Sequence, residues 1–141
     1  MTKTTKRAAA RPVRKPSAAK PVRAIAMPPL RKGEHHAGII LDTKGRPEYH
    51  LIGLPGKAEN VTWQEAQAWA KKQSGELPNL RELGLEHVNA GQHFTNAAYW
   101  SCKQYAGDAS SAWFQSFLNG YQYYYDKSSQ LRARAVRRVP I

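Results

Sequence analysis

Apolar and polar positions change their period twice along this chain. Two apolar runs come first, at residues 37–41 (Ala-Gly-Ile-Ile-Leu) and 49–54 (Tyr-His-Leu-Ile-Gly-Leu). Between them lies Asp42-Thr-Lys-Gly-Arg-Pro47, and Pro55-Gly56 ends the second run. Two short runs separated by turn chemistry predict an antiparallel hairpin. The period then becomes helical. Ala66, Trp69, Ala70 and Gln73 recur at helical spacing with Val61 or Trp63, and Thr62 with Glu65 fits a capping box. A helix is predicted over 63–73, stopped by Ser74-Gly75. After the extended link Glu76-Leu-Pro78, Asn79 with Glu82 caps a second helix. Its apolar side is read as Leu80, Leu83, Leu85 and Val88; Asn89-Ala-Gly91 ends it, and 92–97 is a loop.

Beyond residue 97 the alternation becomes strand-like. Strands are predicted at 98–102, 112–117, 121–125 and 133–139. Asn119-Gly120 marks a hairpin between the middle two, and Pro140 should stop the last. A strand pair, two helices and a group of antiparallel strands make an α+β pattern, with helices packed beside a small sheet.

Charge divides the chain differently. A length of 141 residues has room for one domain. Residues 1–33 hold ten Lys or Arg and no acid, whereas 34–141 hold twelve basic and ten acidic side chains. The net charge of +12 is therefore concentrated in the first segment. Repeated proline and sparse large apolar residues predict a disordered basic N-terminal arm over 1–33. Its unopposed charge suits nucleic acid, an anionic surface or an acidic protein face, or serves only to solubilise. The candidate nucleic-acid contacts are Lys3, Lys6, Arg7, Arg11, Arg14, Lys15, Lys20 and Arg23. Prolines interrupt the amphipathic helix a mitochondrial targeting peptide needs, and Ala-Ile-Ala-Met-Pro-Pro-Leu is too short for a signal-peptide core. No run is long enough to span a bilayer.

Candidate chemistry is thin. Cys102 is the single cysteine, so an internal disulfide and a cysteine zinc cluster are excluded. A lone cysteine of this kind reads as a small buried hydrophobe. Glu34-His35-His36 lacks zincin spacing, His50, His87 and His93 are scattered, and nothing orients a Cys102–His93 pair for nucleophilic work. No catalytic residue, metal or cofactor is expected. The stretch 99–141 instead holds six of the seven tyrosines and two of the four tryptophans. Tyrosine brings large contact area at low entropic cost, and serine adds hydrogen bonds, a mixture that suits recognition. Tyr121, Tyr123 and Tyr125 should share one strand face, with Gln122 and Tyr124 on the other. Trp100, Trp113 and Phe117 read as core. Arg132, Arg134, Arg137 and Arg138 read either as scaffold ion pairs or, with the tyrosines, as a nucleic-acid surface.

An ordered series of motifs carries a family resemblance. Gly75-Glu-Leu-Pro-Asn-Leu-Arg-Glu-Leu83, Tyr99-Trp-Ser101, Ala112-Trp-Phe-Gln-Ser-Phe117, Asn119-Gly120 and Arg134-Ala-Val-Arg137 together resemble a bacterial and phage branch of the C-type-lectin-like domain family. That branch is related to the formylglycine-generating-enzyme fold and to retroelement-diversified variable proteins. Here Glu76 stands where the family usually has Arg, and Cys102 where a second serine is common. The glutamate and tryptophan signatures of calcium-dependent sugar binding are missing. The resemblance implies two helices and a small twisted antiparallel sheet over 34–141. It implies a non-enzymatic, phage- or prophage-associated binding module for a protein or glycan ligand, or a virion structural or receptor-binding component. The expected location is the host bacterial cytoplasm or the virion. The expected ligand-binding residues are Tyr105, Asp108, Tyr121, Tyr123, Tyr125, Asp126 and Ser128. The basic arm would contact nucleic acid or a virion partner, and a nucleic-acid-associated accessory protein is the alternative. No oligomerisation motif is visible.

Overall fold

The computed structural model describes residues 24–141. The proposed arm contacts from Lys3 to Arg23 lie outside the described residues. Strands β1 (His35–Leu41) and β2 (Pro47–Gly53) form the expected hairpin, and β3 (Ala58–Val61) follows. Helices α1 (Trp63–Lys72) and α2 (Leu80–Ala90) come next, the second continued by one 3-10 turn. Then come β4 (Ala98–Gln104), β5 (Ser111–Ser116), β6 (Gln122–Asp126), β7 (Leu131–Ala133) and β8 (Val136–Pro140). The architecture is α+β, with two helices and two sheets. One sheet is antiparallel, in the order β1-β2-β8. The other is mixed, in the order β3-β7-β4-β5-β6, with β4 and β7 parallel.

The two-sheet arrangement corrects the reading of 133–139 as one strand. Ala133, Ala135 and Val136 are all buried, so burial stops alternating at 135–136. The chain leaves one sheet after Ala133 and enters the other at Val136. Small alanines permit the crossing, and the Ala135 carbonyl accepts the Leu54 N–H during it. Gly75 lies against the same crossing: a Cβ there would stand 2.7 Å from the Val136 carbonyl oxygen. Pro140 ends β8 from inside, paired with Tyr49. The short β3 escaped the sequence pattern because Glu59 and Asn60 are polar and Asn60 takes a left-handed φ of 53°.

Both helix starts follow their local signals. Thr62 accepts the Glu65 N–H at 3.3 Å, a one-sided cap. Asn79 and Glu82 make the full reciprocal box, at 2.9 and 2.8 Å. Helix α1 lays Trp63, Ala66 and Ala70 on the core that includes Trp100, Ala112, Phe114 and Ala133. Helix α2 buries Glu82, Leu83, Glu86 and Ala90. Val88, expected on its apolar side, is 79% exposed. Five residues past Leu83 it points about 140° away from it. Carboxylates occupy part of the buried face, which a purely apolar pattern cannot register.

Those carboxylates are paired. Glu82 is fully buried and receives Arg138 through Nε at 2.7 Å and Nη2 at 2.8 Å, plus the Tyr49 hydroxyl at 2.7 Å. Burial alone would raise the Glu82 pKa, but the Arg138, Asn79 and Tyr49 hydrogen bonds outweigh it, so the net shift is downward. Glu34 is held down to about 2, chiefly by hydrogen bonding to Arg137. A carboxyl depressed in the folded state contributes stability above its unfolded pKa of about 4.3, and loses it as pH falls through the folded value. Denaturant unfolding should therefore show stability falling from about pH 4.5 towards pH 2, with Glu34→Gln flattening the lower part. At neutral pH, Glu82→Ala should cost about 3 kcal/mol by leaving Arg138 with Glu76 alone and unpairing the Tyr49 hydroxyl and the Asn79 N–H, while Glu82→Leu with Arg138→Met should cost much less. Equal losses in the two proteins would contradict this account.

Candidate functional site

The β5–β6 hairpin carries the exposed aromatic surface. Its pairing is unbroken from Ser111↔Asp126 to Gln115↔Gln122. The turn expected at Asn119-Gly120 is present. Gly120 takes φ +81°, its N–H bonds the Ser116 carbonyl, and Asn119 Oδ1 accepts the Tyr121 N–H at 3.0 Å. This anchors Tyr121 at the end of the hairpin. Tyr121, Tyr123 and Tyr125 are 73, 57 and 52% exposed. In register, Tyr123 faces Phe114, and the Tyr125 ring lies 5.1 Å from the Phe114 ring. Phe114, Ser116, Asn119, Tyr121, Gln122 and Tyr123 line an open cavity of about 490 Å³. Its walls are aromatic, and amide and hydroxyl groups stand at its margin.

Tyr105 lies outside the row and joins it through Tyr124. Its ring stacks on Tyr124 at 3.8 Å and 5°, and Trp113 meets both rings edge-on at 5.6 and 5.7 Å. The Tyr123 ring runs nearly parallel to Tyr124 at 4.8 Å. These rings form one stack along the outer strand. The Tyr105 hydroxyl beside it favours the protonated Tyr124 phenol and pushes its pKa up. Trp113, expected in the core with Trp100 and Phe117, is half-buried in this stack. Strand parity gives the reason: Phe114, the next residue, takes the inward position against α1. Phe117 and Trp100 are buried as expected.

Asp108, Asp126 and Ser128 sit at the far end of the hairpin. Asp108 accepts the Ser110 N–H and hydroxyl at 2.9 and 2.7 Å. Asp126 accepts the Ser128 N–H and hydroxyl at 2.8 and 2.6 Å. Those hydrogen bonds lower both carboxyl pKa values. Asp126 and Ser128 border a shallow depression with Thr62, Gln64, Ser110 and Lys127. The seven expected ligand residues thus fall into three groups: the Tyr121–Tyr123–Tyr125 row, Tyr105 in the stack, and the two aspartate turns. Phe114 was absent from the expected set. Its signal was its position opposite Tyr123, legible only once the hairpin register is known.

The C-terminal arginines are bonded within the domain, Arg132 at its surface. Arg132 bonds Glu59 and Thr95, at 3.2 and 3.0 Å. Arg134 donates to the His93 and Leu54 carbonyls, at 2.8 and 3.0 Å. Arg137 forks onto Glu34, at 2.8 and 2.9 Å, and also reaches the Pro29 carbonyl. Arg138 binds Glu82 and Glu76. The scaffold reading therefore accounts for all four side chains.

The histidines pair locally. His35 Nε2 lies 2.7 Å from Glu86 Oε2, and its ring stacks on His93 at 4.0 Å. His36 and His50 share a 2.9 Å contact. Among the described residues, no group of three or more His, Cys, Asp or Glu side chains is arranged to hold a metal. Cys102 is exposed, against the expectation of a buried thiol, and lies where the β4–β5 register shifts. Among the described residues, no helix is long and apolar enough to cross a membrane. No protein-family model matches the chain, and no curated protein gives a significant match.

Gly107 permits the Tyr105 stack: a Cβ there would come within 2.8 Å of the Tyr105 ring and hydroxyl. Gly107→Val should push Tyr105 off Tyr124, reduce the near-ultraviolet circular dichroism of the stack and cost about 0.5–1.5 kcal/mol. An unchanged aromatic spectrum would show that the stack does not depend on this glycine.

Proposed function

We propose that this chain is a non-enzymatic binding module of C-type-lectin-like fold, phage- or prophage-associated, that recognises a protein or glycan ligand. The observation that carries the reading is the row of exposed Tyr121, Tyr123 and Tyr125 beside the Phe114 cavity. Monomeric domains seldom expose large aromatic residues side by side without a use for them. Tyrosine also suits both ligand classes: its ring offers a flat apolar face and its hydroxyl a hydrogen bond. The rigid hairpin beneath lowers the entropic cost of capture. Service as a virion receptor-binding or structural component fits the same face.

The charge distribution favours one further reading, that of a nucleic-acid-associated accessory protein. Ten basic residues without an acid among residues 1–33 supply a salt-sensitive attraction to phosphate. The folded domain adds little to it, because its four C-terminal arginines already have internal partners.

Two measurements separate the readings. Glycan-array and host-surface-protein binding should identify a ligand whose affinity falls about tenfold or more in Tyr121→Ala and Tyr123→Ala, with the melting temperature nearly unchanged. Identical binding by wild type and both variants would remove the tyrosine row from the ligand site. Mobility shifts with single- and double-stranded DNA should disappear when residues 1–33 are deleted and weaken steeply with salt. DNA binding retained by residues 34–141 and lost in Tyr123→Ala would favour the nucleic-acid reading for the domain itself.

A further inference from the structure

We propose that β6 is the contact edge of a two-fold dimer, in which the β6 strands of two copies of this chain pair antiparallel about Tyr124 and join two five-stranded sheets into one. The inference does not depend on the ligand reading: the backbone edge makes the pairing, and partial burial of Tyr121, Tyr123 and Tyr125 is its consequence.

The other sheet edges are closed to pairing. The outer edge of β1 is broken by two register shifts, and α2 caps its carbonyls: Asn89 donates to Ala37 at 2.7 Å and Arg81 to Leu41 at 3.0 Å. The outer edge of β8 is bridged by Glu76, whose N–H and carbonyl both bond Val136. Strand β3 has four residues, a register shift, a left-handed Asn60 and the charged Glu59. These are the devices by which sheets avoid pairing with other chains. Strand β6 has fewer of them: it is five residues long, and its one charge, Asp126, stands at its end. Its register is continuous, it contains no proline, lysine or arginine, and no described strand lies outside it.

The free edge is also self-complementary. The Ser116 N–H bonds the Tyr121 carbonyl, and the Lys127 N–H bonds the Ser110 carbonyl. Alternation then turns the backbone groups of Tyr121, Tyr123 and Tyr125 towards β5, and those of Gln122, Tyr124 and Asp126 outward, with the Asp126 carbonyl already accepting the Ser129 N–H at 2.9 Å. A two-fold axis at Tyr124 sets Gln122 opposite the partner's Asp126 and Tyr124 opposite the partner's Tyr124. Every outward residue thus meets an outward residue. Amide faces carboxylate, Lys127 approaches the partner's Tyr121, and Tyr123 faces the partner's Tyr125. A parallel in-register pairing would instead set Asp126 on Asp126 and Lys127 on Lys127, which like-charge repulsion disfavours.

Three half-exposed tyrosines at about 150–250 Å² of side chain each supply a few hundred Å² per copy, below the roughly 800 Å² of a standard interface. The dimer is accordingly reversible and concentration-dependent.

Sedimentation velocity of the full chain over about a hundredfold concentration range, without ligand, tests it. Wild type should shift from monomer towards dimer. Tyr123→Lys with Tyr125→Lys places lysine opposite lysine across the axis and should weaken dimerisation about tenfold or more, with the far-ultraviolet spectrum retained. Tyr123→Glu with Tyr125→Glu should do the same. An equimolar mixture of the two variants should dimerise again. A wild type monomeric throughout overturns the proposal and leaves the edge to an extended segment of another protein. So does undiminished dimerisation of the lysine variant, or a mixture that stays monomeric. Because the readout is mass in the absence of ligand, failure here leaves the tyrosine ligand face untouched, and failure of ligand binding leaves the dimer standing.

Discussion

The bidentate bond between Arg138 and Glu82 is the constraint on which the arrangement of elements depends. It fastens the last strand, β8, to the first turn of α2. The same carboxylate closes the α2 capping box at Asn79 and receives Tyr49 from β2. One fully buried glutamate therefore joins a helix start, a sheet centre and the chain's last strand. A buried charge is tolerable only when its lone pairs are occupied, and here three different elements occupy them. Arg137 repeats the device on the neighbouring position of β8, clamping Glu34 just ahead of β1.

This polar framework sets where the aromatic hairpin can lie. Helix α2 meets the second sheet through Leu83, Tyr99 and Phe117, with Phe94 stacked on Phe117 at 3.9 Å. Gln122 donates to the Leu80 carbonyl and to Gln115, and Gln115 donates to Leu83. These amides tie β5 and β6 to the helix that Arg138 has already fixed. The tyrosine row consequently sits on a strand whose inner neighbour is locked and whose outer side is free.

What could be read in the sequence follows from how local each cause is. Thr62 and Asn79 start helices through bonds to residues three positions on, so both starts were legible. The Asn119-Gly120 turn was legible for the same reason. The split between β7 and β8 was not, because it depends on Leu54 and Glu76, far back in the chain, claiming the backbone of Ala135 and Val136. Glu82 and Glu86 hid α2's buried face because their partners, Arg138 and His35, lie 56 and 51 residues away. At the candidate site, the exposure of Tyr121, Tyr123 and Tyr125 matched their composition. The separation of Tyr105 did not, since it arises from a stack with Tyr124 that only the hairpin register creates.

The same distinction reshapes the charge argument. Four arginines near the C-terminus look, in sequence, like a cationic face beside tyrosines. In the fold each is bonded to an acid or a carbonyl, and Lys127, the residue after the aromatic strand, bonds Gln104. With the arginines held inside the domain, this face gains less from long-range attraction to phosphate, and its contacts rest mainly on shape, stacking and hydrogen bonds. Long-range attraction belongs instead to the first 33 residues, with ten basic side chains and no acid. On the proposed readings, electrostatic capture and discrimination would fall to opposite ends of the chain. The first responds to salt, and the second to the geometry of one hairpin.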